Sequence, residues 1–527
     1  MFVMKRIVLI RPHMLIPQYS FTGLTVPPLG LAYVAATLRR DGHKVTLIDS
    51  VGEAIEQHVP YHDDYILHGL STAQILERIP ADTDLIGVSC MFSHEFPVSR
   101  DLIVAIKGRF PDALLIAGGE HVTALPDESL SQCLGIDIVV LGEGEETIAD
   151  IAAHDGSDDE LAAVPGLAWR DRHGRVRFSA TRARVREIDS FPLPAWDLVP
   201  LENYWKYGMG LGVDRGRSMP MLATRGCPYQ CTFCSNPTMW TTLWKARKPE
   251  EVLSEIRLYM EKYDATNFDF YDLTAIVRKD WIIAFCRAIL ASGLRFTYQL
   301  PSGTRSEAID REVAHLLYAS GCRNMTYAPE SGSPDTLKRI KKHIKIDNVL
   351  ESMRGCRLEG LNVKANIIVG FPGDTWKDLW TTFLFILRMA LVGLQDVTIQ
   401  PFSAYPGSEL FRDLRKQNRI TDLTDDYYFS LADYSDLTKA VSWSEHLSAR
   451  ALVWFRTIGM LSFYAVSYAV RPWRLFIVLS NLLRGKQESR MERALSDIFK
   501  RKYTLAPDLA SAKLATAAKT TINPPYI

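Results

Sequence analysis

Short, uninterrupted apolar runs alternate with helix-like patterns along most of this chain, and that alternation restricts it to parallel α/β sheets. In residues 1–155 the runs are "RIVLI" (6–10), "KVTLID" (44–49), "DLIGVSC" (84–90), "ALLIAGG" (113–119) and "DIVVLGEGEET" (137–147). Between the first two lies "LGLAYVAATLRRDG", apolar at helical spacing and closed by Gly42. Strands that are apolar throughout are buried on both faces, and helices between them predict a parallel, doubly wound sheet. Gly118, Gly119, Gly142 and Gly144 fall at strand ends, where such sheets bind ligands and where glycine lets backbone approach closely. No GxGxxG follows the first strand, so a dinucleotide is a poor candidate. The plain alternative is a sheet with tight turns and no ligand.

From 156 to 215 the text changes. Residues 156–215 read as a linker, in which "GLAWRDRHGRVRFSA" gives a hairpin around His173-Gly174 and Pro192, Pro194 and Pro200 punctuate the remainder. A second α/β run spans 216–430. Its strands are "SMPMLATRGC", "NFDFYD", "FTYQLPSG", "NMTYAPESGS", "KANIIVGFPGDT" and "DVTIQPFSAYPGSEL", and "PEEVLSEIRLYMEKY" (249–263) is an amphipathic helix. Six βα repeats predict a partial (β/α)6 barrel with its site at the carboxyl ends of the strands.

A chain of 527 residues needs more than one domain, and 47% hydrophobic against 23% charged residues is a globular balance. Lys+Arg and Asp+Glu are equal at 61 each, so no global basic field points to nucleic acid. Eight cysteines in this length are not a disulfide framework. The opening "MKRIVLIRP" has too short an apolar run for a secretory signal and reads as a first strand, so a reducing cytoplasm is the expected compartment.

Three cysteines stand together in "RGCPYQCTFCSNP", on the loop after the first barrel strand: Cys227, Cys231 and Cys234, spaced C-x3-C-x2-C. A structural zinc site wants four ligands, usually in paired knuckles, and here a remote histidine would have to complete it. A disulfide would leave one thiol over. Three thiolates suit a four-iron cluster, whose fourth iron keeps a position for something other than protein.

That spacing, with Phe233 before the last cysteine, resembles the radical S-adenosylmethionine (SAM) enzymes. "YAPESGSPDTLKRIKK" (327–342), "IIVGFPGDT" (367–375) and "FSAYPGSELF" (402–411) resemble that superfamily's later strands, in the expected order. The resemblance implies a [4Fe-4S] cluster on Cys227, Cys231 and Cys234, with SAM chelated to the open iron and cleaved to a 5′-deoxyadenosyl radical. It further implies that Glu330 accepts a hydrogen bond from the ribose or ammonium of SAM and that Gly370 lets backbone pass near the adenine. Asp272 occupies the position that contacts the amino group, although the usual GGE is absent there.

With the barrel so read, "VPPLGLAYVAATLRRDGHKVTLID", "LIGVSC", "IAGGEHVTALPDE" and "VVLGEGEET" resemble the Rossmann-like cobalamin-binding half of the cobalamin (B12)-dependent radical SAM family, over residues 5 to 430. That family includes carbon methyltransferases and the anaerobic magnesium-protoporphyrin ester cyclase group. The resemblance implies that Pro28, Leu29, Ser89, Gly118, Gly119, Glu120, His121, Gly142, Glu143 and Gly144 line cobalamin. DxHxxG is missing, and His13, His43, His94 and His121 stand in no such context, which implies unligated cobalt. The implied reaction methylates an unactivated carbon through the adenosyl radical and methylcobalamin, with electrons from a donor of flavodoxin or ferredoxin type. A non-methylating oxidative cyclase or rearrangement enzyme, a B12-binding sensor without catalysis, and a radical SAM enzyme with a merely structural first domain are the alternatives. No side-chain acid or base is required for an sp3 carbon, and none is named.

The family pattern fades beyond 430. Residues 431–502 read as a helical substrate or cap region, and "ARALVWFRTIGMLSFYAVSYAVRPWRLFIVLSNLLRGK" (449–486) is apolar, aromatic and interrupted by Arg456, Arg471 and Pro472. It suits either a cap on the barrel mouth or two helices in a membrane interface, with Trp454, Tyr468 and Trp473 at headgroup level; its run from Thr457 to Val470 is too short to span. Both readings favour a bulky apolar substrate such as a lipid, polyprenoid or tetrapyrrole, or another secondary metabolite. Residues 503–527 read as a disordered tail.

Overall fold

The structure, a computed structural model, describes residues 4–20, 25–62, 64–154, 156–489, 491–493 and 495. The expected tail at 503–527 lies outside the described residues.

Five parallel strands form the core of the first sheet, in the order Lys44–Asp49, Arg6–Arg11, Leu85–Ser89, Leu114–Gly118, Ile138–Val140. The first strand in sequence lies inside the sheet, so the chain winds outward both ways. Ile7 and Leu9 enter one apolar core with the helix Leu29–Arg40, while Val8 and Ile10 enter a second with Phe96–Arg109. Alternate residues of one strand thus feed cores on opposite faces, which is why these strands carry no polar face.

The hairpin assigned to the linker belongs to this sheet. Leu167–Arg170 pairs antiparallel with Ile138–Val140, and Val176–Phe178 pairs antiparallel with Leu167–Arg170. A three-residue strand leaves its outer backbone groups unpaired, and the returning hairpin satisfies them. The linker proper begins after Phe178. A further antiparallel sheet, Met14–Pro17, Tyr65–His68 and His58–Tyr61, was not expected from the sequence. Its Leu15 packs with Val98 and Phe429, joining the first domain to the segment after the barrel.

The second sheet holds Ser218–Met221, Asn267–Phe270, Thr297–Thr304, Cys322–Glu330, Asn362–Val369 and Asp396–Pro401 in sequence order, every neighbouring pair parallel. The sheet is open between its first and last strands, as a partial (β/α)6 barrel requires. Its lower interior is polar and closed. Asp269 accepts from Gly212 N at 3.0 Å, and Gln299 accepts from Val213 N at 3.0 Å. Gly212 is needed there, because a Cβ would stand 2.4 Å from the Gln299 side chain. Arg493 donates to the Gly210 carbonyl at 2.8 Å and seals the floor.

The helix Ala449–Val470 does not cap the barrel mouth. It lies along the flank, with Leu452, Phe455, Gly459 and Phe463 buried, and Gly459 passes so near Ile399 that a Cβ would stand 2.7 Å from its Cδ1. The open barrel leaves its last strand without a neighbour on that side, and this helix covers it. Arg456 is fully buried and donates to the carbonyls of Tyr434, Asp436 and Lys439, so it holds a loop and does not face a membrane.

Candidate active site

The cysteine loop starts where the first barrel strand ends. Asp272 accepts from Ala223 N (3.2 Å), from Thr224 N and from Thr224 Oγ1 (2.6 Å). Both its oxygens are thus spent on the turn that launches the loop, and burial raises its carboxyl to about 6. Thr224–Arg225 then pairs with Lys245–Ala246, closing the loop at its base. Gly226 has φ +86°, and a Cβ there would stand 2.0 Å from the Leu243 carbonyl, so only glycine turns this corner.

Cys227 and Cys231 are buried and Cys234 half-buried; Thr274 Oγ1 donates to Cys227 Sγ at 3.5 Å. Among the described residues, no three His, Cys, Asp or Glu side chains converge as ligands of one metal ion. A cluster instead presents a separate iron to each thiolate. Burial pushes the Cys234 thiol up to about 12 and raises the Cys231 thiol as well, so these two hold their protons until iron displaces them. Phe233 packs on Phe371 and Phe371 on Phe402, an aromatic wall behind the loop.

Glu330 ends its strand at φ +66°, a left-handed backbone that a side-chain-bearing residue adopts at a cost of roughly 1–3 kcal/mol. The carboxylate is buried, and Lys342 Nζ donates to it at 3.0 Å. Burial raises the Glu330 carboxyl and Lys342 opposes the rise. Arg305 lies 3.6 Å from the Tyr229 ring centroid, and both Arg305 and Lys342 act on Cys231. Two cations and a carboxylate thus face one edge of the loop. Gly370 has φ +81°, but the space beside its α-carbon belongs to Leu452, whose Cδ1 would be 2.6 Å from a Cβ.

Beyond the loop, the helix Asn236–Trp240 reaches the first domain. Met239 and Trp240 line an open, mainly apolar recess of about 150 Å³ at the carboxyl edge of the first sheet. Ser89, Gly118, Gly119, Gly142, Glu143 and Gly144 line it. Pro28, Leu29, Glu120 and His121 do not; from the first helix, Gly30, Leu31 and Val34 face the recess instead. A Cβ would meet nothing within 4 Å at Gly30, and no atom nearer than 3.9 Å at Gly118 or 3.7 Å at Gly144. These glycines leave a wall of bare backbone facing empty space, a cradle that a flat macrocycle can press against. Gly119 differs: its φ of +124° and a Cβ-to-Cys90 O distance of 2.6 Å serve the turn itself.

Sequence models of two domains match the chain, the B12 binding domain over residues 22–152 and the radical SAM superfamily over residues 221–386. The chain belongs to the B12-dependent radical SAM family. Relatives include an uncharacterized methyltransferase of Pyrococcus horikoshii, 28% identical over 74% of this chain and 78% of that protein. The cytidylyl-2-hydroxyethylphosphonate methyltransferase of Streptomyces wedmorensis is 27% identical over 79% of this chain and 83% of that one. The anaerobic magnesium-protoporphyrin IX monomethyl ester cyclase of Cereibacter sphaeroides is 26% identical over 77% of this chain and 64% of that one. The solved structure of the cobalamin-dependent SAM radical enzyme OxsB superposes with a TM-score of 0.66 at 14% identity, over 99% of this chain and 82% of that one, and shows the same fold. The two domains imply a [4Fe-4S] cluster, SAM and cobalamin, and the thiol loop and glycine cradle fit them.

In this B12-dependent radical SAM chain the two domains are bolted together by the first residue of the cysteine motif. Arg225 contacts Glu145 at 2.7 Å and Glu143 at 3.4 Å, between the rings of Tyr33 and Phe191. Glu143 also accepts from Arg184 at 3.1 Å and from Val185 N at 3.2 Å. Its carboxylate therefore ties the linker and barrel to the first domain. Glu120 accepts from Ser235, beside Cys234, and is likewise spent on the interface.

None of His13, His43, His94 and His121 lines the recess. Burial lowers His94 to about 4 and His121 to about 3. Below the ordinary value of about 6.5 the unfolded chain takes up protons that these imidazoles refuse, so their stabilisation is complete above that pH and is lost as pH falls. At about pH 5.5 the loss is about 1.4 kcal/mol for each. The buried carboxyls of Glu95 and Asp272, raised to about 7 and about 6, gain stability over the same range, so the histidine share is read by difference: between about pH 7.5 and 5.5 the urea midpoint of His121→Gln should fall less, or rise more, than that of wild type. An unchanged pH dependence would show that the His121 ring charges in place.

A second group of polar side chains gathers between the domains. Arg11 donates to Tyr204 Oη at 2.6 Å, and Tyr204 donates to Asp49 at 2.7 Å. Burial raises the Glu95 carboxyl to about 7 against the pull of Arg11, and its Oε1 has no hydrogen-bond partner. Tyr271 feels the charge of Arg11, and Tyr434 that of Glu95. Nothing in the local text marks these residues, because the six come from six separate parts of the chain.

Proposed function

We propose that this enzyme methylates an unactivated carbon of a bulky small molecule. The observation that carries the reading is the helix Asn236–Trp240, which starts two residues after Cys234 and ends in the wall of the glycine-lined recess. The cluster loop and the cobalamin cradle share one short rigid element, so both groups face one chamber. Bound there, the cluster and SAM supply a carbon-centred radical, and cobalamin supplies a methyl group.

The chain's own residues bind, orient and shield. Cys227, Cys231 and Cys234 hold the cluster. Lys342 and Arg305 offer positive charge to the carboxylate of SAM, and Glu330 offers an acceptor to its ammonium or ribose. Asp272 positions the loop rather than touching SAM. The wall of Phe233 and Phe371 keeps water from the radical. Gly30, Gly118, Gly142 and Gly144 seat cobalamin through backbone, without a histidine ligand. Arg11, Glu95 and Tyr271 give the substrate a polar anchor, Glu95 through its free oxygen. The relatives' names span a cytidylyl phosphonate and a magnesium porphyrin, which supports bulk with a polar handle; the apolar body is the part this reading adds. A low-potential flavodoxin- or ferredoxin-type donor supplies the electron.

The test is anaerobic incubation of reconstituted protein with SAM, cobalamin and a low-potential reductant, read by mass spectrometry. S-adenosylhomocysteine together with 5′-deoxyadenosine is the expected pair. If 5′-deoxyadenosine forms alone, the methyl-transfer reading falls and cyclisation, the chemistry in the name of the Cereibacter relative, replaces it.

A further inference from the structure

The helix Trp473–Leu483 buries none of its eleven residues. Trp473, Leu475, Phe476, Ile477, Leu479 and Leu483 are all exposed, Phe476 at 71% and Leu483 at 89%. A soluble helix hides its apolar stripe, and scattered exposed side chains need no explanation, but six on three turns do.

This helix is firmly placed. At its start Arg471 donates to the carbonyls of Ala390 (3.1 Å) and Leu391 (2.8 Å), and Arg474 to that of Leu394 (2.7 Å). Arg471 thus satisfies two of the last carbonyls of Trp376–Val392, Arg474 bonds the turn just after it, and both complement its dipole. At the far end Asn481 donates to Glu492 at 2.9 Å, and the Glu488 carbonyl accepts from Asn324 at 2.9 Å, returning the chain to the barrel floor. The apolar surface is therefore held outward at both ends. Leu391, on the helix to which Arg471 bonds, and Val470, Leu461 and Trp454, on the helix before it, are exposed as well.

Charge selects the occupant. Residues 449–486 carry Arg450, Arg456, Arg471, Arg474, Arg484 and Lys486 and no Asp or Glu. Of these, Arg450, Arg484 and Lys486 are exposed. A second copy on this face would set like charge against like. The chain beyond 495 has five Lys or Arg (Lys500, Arg501, Lys502, Lys513, Lys519) against Asp497 and Asp508, so it too matches the sign of the face. An anionic lipid surface opposes it.

We propose that this face docks the protein on an anionic bilayer, with Trp473–Leu483 lying in the interface plane and Arg484 and Lys486 at the phosphates. No helix among the described residues is long and apolar enough to cross a membrane, so the contact is peripheral. It stands apart from the reaction assigned above and holds whichever product forms.

The experiment is sedimentation of the full chain with vesicles of phosphatidylcholine, with and without phosphatidylglycerol, beside the double variant Phe476→Glu, Leu479→Glu. Both side chains are exposed, so the variant should keep its circular dichroism and melting temperature. The expected result is wild-type binding that strengthens at least tenfold with phosphatidylglycerol, weakens with salt, and is lost in the variant. Wild type that stays in the supernatant overturns the proposal. So does variant binding equal to wild type, or a dimer, seen by light scattering without lipid, that the variant breaks.

Discussion

Cys227→Ala should reduce 5′-deoxyadenosine formation to background and lower the iron bound per chain. Cys227 is buried at the base of the loop, and Thr274 Oγ1 donates to its sulfur, so no nearby thiol can take its place. Losing one thiolate leaves an iron without its protein ligand in a site whose other groups hold fixed positions. Cys286→Ala is the matched control. That thiol is fully buried in a helix against the barrel wall, 3.7 Å from Tyr298 Oη, and its removal should cost stability but leave SAM cleavage in place. Cleavage that survives in Cys227→Ala would sink the cluster assignment. The readout is chromatography of 5′-deoxyadenosine beside iron analysis, under strict anaerobic conditions.

Gly118→Val should weaken cobalamin retention by roughly tenfold or more, as overfilling a fitted surface does, and leave the melting temperature nearly unchanged. Gly118 closes a parallel strand, its φ is not positive, and the nearest atom to an added Cβ is 3.9 Å away. Valine is at home in a strand, so the fold tolerates it. The recess does not, because the new methyl groups occupy the space facing Gly30 and Gly144. Gly119→Val makes the contrasting case, with φ +124° and the Cys90 carbonyl at 2.6 Å, and should fail to fold. The measurement is the visible absorbance of cobalamin that stays with the protein through gel filtration. Full retention by a folded Gly118→Val would place cobalamin elsewhere or nowhere.

The strands of both sheets could be read from the sequence because a doubly buried strand must be apolar throughout, and few other patterns look like that. The cysteine loop could be read because its ligands are local. What escaped depends on rotation and on distant partners. The first helix was placed correctly, yet Leu29 turns to the core while Gly30, Leu31 and Val34 face the recess; text gives a helix's start but not its phase. Glu120 and His121 follow the Gly118-Gly119 turn in sequence, but one helical turn carries them to Ser235 and to Ser93. The hairpin at 167–178 looked like a linker because strand pairing is invisible in one strand alone. Arg225 read as the lead-in to a motif, since its carboxylate partners lie 80 and 82 residues away. Trp240 carried the one overlooked signal: a large aromatic placed six residues after the last cysteine needs a surface to cover.

The bolt at Arg225 bears on how the enzyme can move. Parting the domains would pull Arg225 from Glu143 and Glu145 and open the faces of Tyr33 and Phe191 that sandwich it to water; hydration of the freed ions returns part of the cost, but the lost charge-assisted hydrogen bonds and aromatic burial oppose the motion. The separation between the cluster loop and the glycine cradle is therefore a constant of the fold, like the gap of a fixed spark plug. Each substrate has to fit that gap, and turnover relies on traffic through it rather than on opening and closing of the jaws.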